Sequence, residues 1–513
     1  MTRRALLGPD DKEGLADFAR GLVALGFELV ATGRTERLLR ESGIPVLAVA
    51  QVTGTEEMLE GRVKTLHPAI HAGILARRDH PEDMTELGRL GFAPIDLVCC
   101  NLYPFANVVA GGGVEAEALA AIDIGGPTLL RAAAKNFASV LVVSSPGQYP
   151  EVLQGLRQGG PGSELRRRLA HDAFRLVSEY DRRIADYLAP GALEEGGCPT
   201  ELSLSARLVA PLRYGENPHQ SGGLYQTGYP PRALAQLHQV QGDPLSYINW
   251  LDLDAARALA YSLPVPAAVI VKHANPCGVA LGSDPAKAFA AAYECDPRSA
   301  YGGIVALNCE LDEEAAKSIA GHFLEVLVVP KLGRGAGDRL QTRPRLRVLE
   351  DPGGVHSRPE RSEVEVRSVD GGLLAQTPDW GLDDEAAFQV TSGRQPTDRE
   401  WSQLRLAWAV CRAVRSNAIV LCRDDRAMGI GAGQMSRVEA VELAVRRAGE
   451  QAQGSVLASD AFFPMADGLE VAAEAGVSAA IHPGGSKRDP EVIAAADRHG
   501  MALVATGRRH FRH

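Results

Sequence analysis

ALLGPDDKEGLADFARGLVALGFELVATGRTERLLRESGIPVLAVAQV, residues 5–52, alternates short apolar runs with amphipathic stretches. ALL, FELVATG and IPVLAVAQV read as buried strands, while LADFARGLVALG and the run through Leu38 carry apolar residues at helical spacing. Strand, helix and strand in that order imply parallel strands, because a parallel return needs a crossover. IDLVCCNLYPF (95–105) and ASVLVVSS (138–145) continue the pattern, each running into a polar loop. The expectation is an α/β domain with a doubly wound parallel sheet and ligands at the carboxyl ends of its strands.

At 513 residues the chain is long enough for about three domains of ~150 residues. With 45% hydrophobic and 23% charged residues it matches folded globular usage, which excludes disordered and coiled-coil classes. The formal charge is −10, with no basic tail or face that would mark a nucleic-acid partner. No apolar run approaches the ~18 residues of a membrane span. The opening MTRRALLGPDDKEG lacks the apolar centre of a secretory signal, so a cytoplasmic protein is expected. Eight cysteines (99, 100, 198, 277, 295, 309, 411 and 422) are scattered and read as reduced thiols.

ELRRRLAHDAFRLVSEYDRRIADYLA (164–189) reads as a helix, after which composition changes abruptly, placing a boundary near 190–205 and a first domain over 1–195. Downstream, VPAAVIVKHANPCG (265–278) reads as a buried strand breaking at Asn275-Pro276. AIVLCRDDRAMGIGAGQMSRVEAVELAVRRA (418–448) reads as a hairpin, a Gly turn and a helix. The two stretches look like the starts of equivalent units, although their similarity is too weak to define an internal repeat. The polar, Gly-, Arg- and Pro-rich stretch 333–372 between them reads as an exposed connection, giving lobes over 196–372 and 373–513.

Local motifs must supply any anion site in an acidic chain. GRVKTLHPAIHAGIL (61–75) places Arg62, Lys64, Thr65 and two histidines around a proline, either a phosphate loop or an ordinary basic loop. ATGRT (31–35) follows a strand and precedes a helix, the context of a phosphate cradle. In AIDIGGPTLLRAAAKN (121–136), Thr128, Arg131 and Lys135 share one side of a helix that starts beside Asp123. Its plainer reading is a capped helix with two exposed cations. Lys272 and His273 end an apolar strand, pairing a general base with a group able to stabilise an oxyanion; a histidine there is otherwise structural.

Gly429, Gly431 and Gly433 do not match the dinucleotide fingerprint, and Gly484-Gly485-Ser486-Lys487 lacks Walker A spacing. A zinc deaminase needs a later Pro-Cys-x-x-Cys, but Pro276-Cys277 is followed by Ala280 at the second cysteine position. No metal site is expected.

GRVKTLHP, CNLYPF, DIGG, AAKN, LRYGENPHQ, VKHANPCG, SNAI, GIGAGQMSR, FFPMAD and PGGS occur in one order along essentially the whole chain. In this the sequence closely resembles the bifunctional family joining phosphoribosylaminoimidazolecarboxamide formyltransferase to IMP cyclohydrolase. The resemblance implies a methylglyoxal-synthase-like N-terminal domain and two cytidine-deaminase-like lobes. It also implies a homodimer with transformylase sites between subunits, and 10-formyltetrahydrofolate as co-substrate. A structural monovalent cation is left open.

On the same basis His273 is the base of formyl transfer, Lys272 its partner and Asn417 an orienting residue. Arg213, Tyr214, Gly302, Glu325, Arg437 and Arg509 match the aminoimidazole nucleotide site. Val438, Phe462, Asp467, Ser486 and Lys487 match the folate side. For ring closure, Lys135 matches the principal proton-transfer residue, with Tyr103, Asp123 and Lys64 as further catalytic groups. Asp10, Asp11, Lys12, Thr32, Gly33, Arg34, Thr35, Arg62, Val63, Thr65, Cys100, Asn101 and Ile124 match positions lining the IMP pocket.

Departures from the family pattern concentrate near the N-terminus. GPDDKEG (8–14) stands where relatives commonly read SVSDKTG, and Arg34 replaces a second glycine. Asp10 beside a phosphate is repulsive unless compensated, so Asp10 and Arg34 are expected to pair. Glu325 stands where some relatives have Asp, and Met465 replaces a common Phe with little change in volume or polarity. The altered turns leave a second reading, in which residues 1–195 form a nucleotide-binding regulatory module attached to a formyltransferase.

Overall fold

The computed structural model describes residues 3–56, 58–59, 62–189, 202–227, 233–354, 364–379 and 383–513. The chain divides into two compact units, Met1–Ser203 and Leu204–His513. The boundary expected at 195/196 falls within 190–201, outside the described residues.

In the first unit, strands β1 (Arg3–Leu7), β2 (Phe27–Ala31), β3 (Leu47–Ala48), β4 (Leu97–Cys99) and β5 (Leu141–Val143) form one sheet ordered β3-β2-β1-β4-β5. Every pairing is parallel. The helix Leu15–Ala24 buries Leu15, Phe18, Ala19 and Leu22, the stripe its spacing dictates. β1 is flanked by β2 on one side and by the distant β4 on the other. That reversal opens a crevice at the carboxyl ends of β1 and β4.

The second unit begins with the hairpin β6 (Ala206–Leu212)–β7 (Gly222–Thr227). Its core is one twelve-stranded sheet. One half contains β8 (His238–Gln241), β9 (Ala267–Lys272), β10 (Asn275–Leu281), β11 (Ile304–Leu307), β12 (Val326–Val329) and β13 (Arg347–Glu350). A second hairpin, β14 (Glu365–Val369)–β15 (Gly372–Gln376), pairs only with itself. The other half contains β16 (Gln389–Val390), β17 (Ile419–Arg423), β18 (Arg426–Gly431), β19 (Val456–Ser459), β20 (Ala479–His482) and β21 (Ala502–Ala505).

The order β16-β21-β20-β19-β17-β18-β10-β9-β11-β12-β13-β8 reads alike from both ends. Each half has an antiparallel edge strand, three parallel strands and an antiparallel hairpin, and the halves meet where β10 pairs with β18. The helices Tyr247–Ala260 and Asp398–Cys411, 14 residues each, precede the two hairpins. A Cβ on Gly278 would lie 2.1 Å from the Ala292 carbonyl oxygen, and one on Gly429 would lie 2.1 Å from that of Ala444. Both glycines admit the following helix to the sheet at the same point. The duplication that sequence similarity was too weak to define is thus present in the structure.

Three sequence expectations are corrected. The strand at 265–278 turns at His273–Ala274, and Asn275-Pro276 begins β10, where a bulge between Pro276 and Gly278 accommodates the missing N–H. The stretch 333–372 is not simply an exposed connection: it contains β13, whose Val348 and Leu349 are buried between β12 and β8. Gly429 and Gly431 lie within β18, leaving Gly433, at φ 67°, in the turn.

Candidate functional site

Loops at the carboxyl ends of β1, β2 and β4 enclose a cavity of about 750 Å³ in the first unit. Asp10, Lys12, Thr32, Arg34, Thr35, Arg62, Lys64, Thr65, Cys100, Tyr103, Asp123 and Ile124 line it, all expected from the sequence. Asn101 pins the loop after β1, its Oδ1 accepting from the N–H groups of Asp10 (2.6 Å) and Asp11 (3.0 Å). Arg34 Nη2 donates to Asp10 Oδ1 at 2.8 Å, the expected pairing. Lys12 Nζ donates to the Asp10 carbonyl at 2.9 Å; burial, then the Arg34 charge, lowers the Lys12 pKa.

Asp123 also lines the cavity. Its Oδ1 accepts the Gly126 N–H at 2.8 Å, and burial raises its pKa against the lowering effect of that bond. A Cβ on Gly126 would fall 2.4 Å from Asp123 Oδ2, so only glycine lets the helix Gly125–Lys135 start against this carboxylate. Burial, assisted by Asp123, pushes the Cys100 thiol well up, so it stays protonated.

A second constellation occupies one end of the seam between the two halves of the large sheet. Lys272 Nζ donates to the Tyr301 carbonyl at 2.5 Å, beside Gly302. His273 occupies the turn, exposed, with φ 53°. Glu325 accepts from Asn249 Nδ2 at 2.9 Å. Across the seam, Arg437 Nη2 donates to Asn417 Oδ1 at 2.7 Å, while its Nη1 donates to Ser459 Oγ at 2.7 Å and Asp460 Oδ1 at 2.5 Å. Asn417 Nδ2 donates to the Gln434 carbonyl at 2.8 Å, so both ends of the amide are held. Asn275 joins the halves: its Nδ2 donates to the His273 carbonyl at 3.2 Å, and its Oδ1 accepts the Arg415 N–H at 3.0 Å. The tail carrying Arg509 follows the same loop, with the His510 N–H donating to the Asp460 carbonyl and Arg512 accepting the Ser416 N–H.

A family model described as the AICARFT/IMPCHase bienzyme matches residues 133–447, and an MGS-like domain model matches residues 14–128. The chain is 47% identical over 521 residues, covering 100% of both chains, to the bifunctional purine biosynthesis protein PurH of Desulfitobacterium hafniense. PurH of Halalkalibacterium halodurans is 47% identical over 516 residues and PurH of Deinococcus deserti 47% over 522, each covering 100% of both chains. The chain belongs to the AICARFT/IMPCHase bienzyme family.

Not every position transferred from that family falls in these clusters. Lys135 is exposed at the far end of the helix Gly125–Lys135, about 15 Å from its start, and is absent from the cavity lining. Asp11, Gly33 and Val63 adjoin the lining without forming it. Arg213 stands over the Tyr214 ring at 5.8 Å, at the end of β6. Val438 is half-buried one residue beyond Arg437; Phe462, Asp467 and Lys487 are exposed and Ser486 is half-buried. Sequence reading missed the apolar cavity wall of Ala116, Leu119, Ala120 and Ile122, and the supporting groups Asn249, Asp252 and Asp460. Asn275 was visible inside VKHANPCG but carried no assigned role.

Among the described residues no cluster of three His, Cys, Asp or Glu side chains is placed to hold a metal ion, and no helix is long and apolar enough to cross a membrane. The seven described cysteines are free; Cys198 lies outside the described residues.

Proposed function

We propose that this family member carries out the last two steps of IMP synthesis. The second unit transfers the formyl group of 10-formyltetrahydrofolate to 5-aminoimidazole-4-carboxamide ribonucleotide, and the first unit closes the ring with loss of water. The acceptor amine is a poor nucleophile, because its lone pair is delocalised into the imidazole and carboxamide. His273 removes its proton as the carbon–nitrogen bond forms, and Lys272 meets the charge developing on the formyl oxygen. Asn275 carries this reading: its two hydrogen bonds hold the Lys272–His273 turn against the loop bearing Asn417, whose amide oxygen accepts from Arg437.

Arg213, Tyr214, Gly302, Glu325, Arg437 and Arg509 are assigned to the nucleotide, and Val438, Phe462, Asp467, Ser486 and Lys487 to the folate. Ring closure joins two groups of one molecule, so confinement supplies much of the rate and proton transfer the rest. Of three groups that share the cavity, Tyr103 relays the proton, Asp123 activates the amide nitrogen and Lys64 stabilises charge on oxygen; Lys135 enters on resemblance alone. The protein works as a cytoplasmic homodimer with transformylase sites between subunits. Both self-paired hairpins leave apolar side chains exposed, among them Leu208, Tyr225, Leu373 and Leu374, which a second copy would cover.

The test supplies the formylated nucleotide directly to the full chain. Turnover to IMP is expected, at least tenfold slower in Asp123→Asn and unchanged in His273→Ala. Lys135→Ala in the same assay decides whether that lysine takes part. Binding without turnover in the unaltered chain would instead make the first unit a regulatory module.

A further inference from the structure

The turn that presents His273 is not built from the residue pair such turns favour most. A two-residue hairpin turn with both residues left-handed prefers Asn-Gly or Asp-Gly. Here the pair is His273 (φ 53°) and Ala274 (φ 57°); histidine visits that region more readily than most residues, but alanine does not favour it. Both inward N–H groups of the turn go to one buried carboxylate on the helix Tyr247–Ala260. His273 N–H donates to Asp252 Oδ2 at 3.1 Å, and Ala274 N–H donates to Asp252 Oδ1 at 2.6 Å. Asp252 is 6% exposed while the His273 side chain faces solvent. Three residues earlier on that helix, Asn249 holds Glu325. One helix therefore fixes two groups of the transformylase site from beneath.

The duplicated half provides an internal control. Gln403 occupies the same position on the helix Asp398–Cys411 as Asp252 does on its own, the sixth residue of each. It lies under the turn Asp424–Asp425 (φ 52° and 59°). Gln403 Oε1 accepts only the Asp425 N–H, at 3.0 Å, while its Nε2 donates to Asp425 Oδ1 at 2.7 Å. A turn of two aspartates tolerates the left-handed region and has no residue to aim. The doubly accepting carboxylate occurs only under the turn that carries the base.

We propose that Asp252 is a positioning residue for formyl transfer, fixing the His273 backbone so that the imidazole meets the acceptor amine. This rests on the assignment of His273 as the base. Asp252→Asn is nearly isosteric but offers one acceptor oxygen to two N–H donors. In the unaltered dimer-competent full chain and its variants, formyl transfer is followed by tetrahydrofolate release at varied nucleotide concentration, with melting temperature recorded alongside. Asp252→Asn is expected to lower kcat between about tenfold and a hundredfold with KM for the nucleotide within about threefold, as for a displaced catalytic group. Gln403→Ala should lower the melting temperature while kcat stays within about twofold. The proposal is overturned if Asp252→Asn keeps kcat within about twofold, or if Gln403→Ala loses kcat as severely. His273→Ala separates the two levels: full activity there removes the base assignment itself, whereas an inactive His273→Ala beside a fully active Asp252→Asn removes only the role of Asp252.

Discussion

The two halves of the twelve-stranded sheet share strand order, pairing sense and helix placement, yet the ends of their seam differ in chemistry. At one end the β9–β10 turn carries Lys272 and His273, tied through Asn275 to the loop that leads to Asn417. At the other, the β17–β18 turn offers Arg423, Asp424 and Asp425, with Asp424 paired to Arg399 and Arg423 at the surface. The position matching Asn417 is Pro266, which donates nothing. The shared backbone thus creates two related locations, and a few turn and loop residues decide which is reactive. Function resides in the side chains placed on the scaffold and not in the scaffold itself.

The largest expected contrast is between equivalent turn residues. His273→Ala should cut formyl transfer by at least about a hundredfold, within the range for a general base, while Asp424→Ala stays within about twofold. Steady-state rates of tetrahydrofolate release decide it, and equal losses would break the asymmetry.

Buried ion pairs give the next contrast. Arg437 with Asp460 and Arg257 with Asp351 have side chains less than a tenth exposed. Arg437→Met and Arg257→Met should each destabilise by about 3–5 kcal/mol, since each leaves a buried carboxylate unpaired. Urea unfolding reads that loss. Only Arg437→Met should also weaken nucleotide binding beyond what unfolding explains.

The smallest contrast concerns acid stability. His482 ends β20 where Val329 ends β12, and burial lowers its pKa to about 4, with Asp489 opposing and Arg437 assisting. The folded imidazole is neutral where the unfolded one is protonated, between about pH 4 and the ordinary value near 6.5. Unfolding therefore takes up a proton in that window, and stability rises with pH through it and levels above. Denaturant midpoints from pH 4 to 7 should show this slope in the unaltered chain and a shallower one in His482→Val.

Much of the first unit was legible because strand–helix alternation dictates a parallel sheet, and its site loops follow strands directly. Twelve of the residues expected from the family resemblance gather at one cavity. Lys135 shows the limit: helical periodicity gives the side of a helix but not which end meets the ligand. In the second unit the His273–Ala274 turn was hidden because it lacks the Asn-Gly or Asp-Gly pair that marks such turns, and its anchor Asp252 lies 21 positions earlier. β13 was hidden by its Arg- and Pro-rich surroundings. The duplication was hidden because strand pairing and helix packing persist with apolar residues exchanged freely, leaving little identity between VIVKHANPCG and IVLCRDDRAMGIG.

The most direct measurement supplies the purified protein with 5-aminoimidazole-4-carboxamide ribonucleotide and 10-formyltetrahydrofolate and follows tetrahydrofolate and IMP separately. Equal production of both is predicted. Tetrahydrofolate accumulating without IMP would contradict a bifunctional chain and mark a first unit that binds nucleotide without closing the ring.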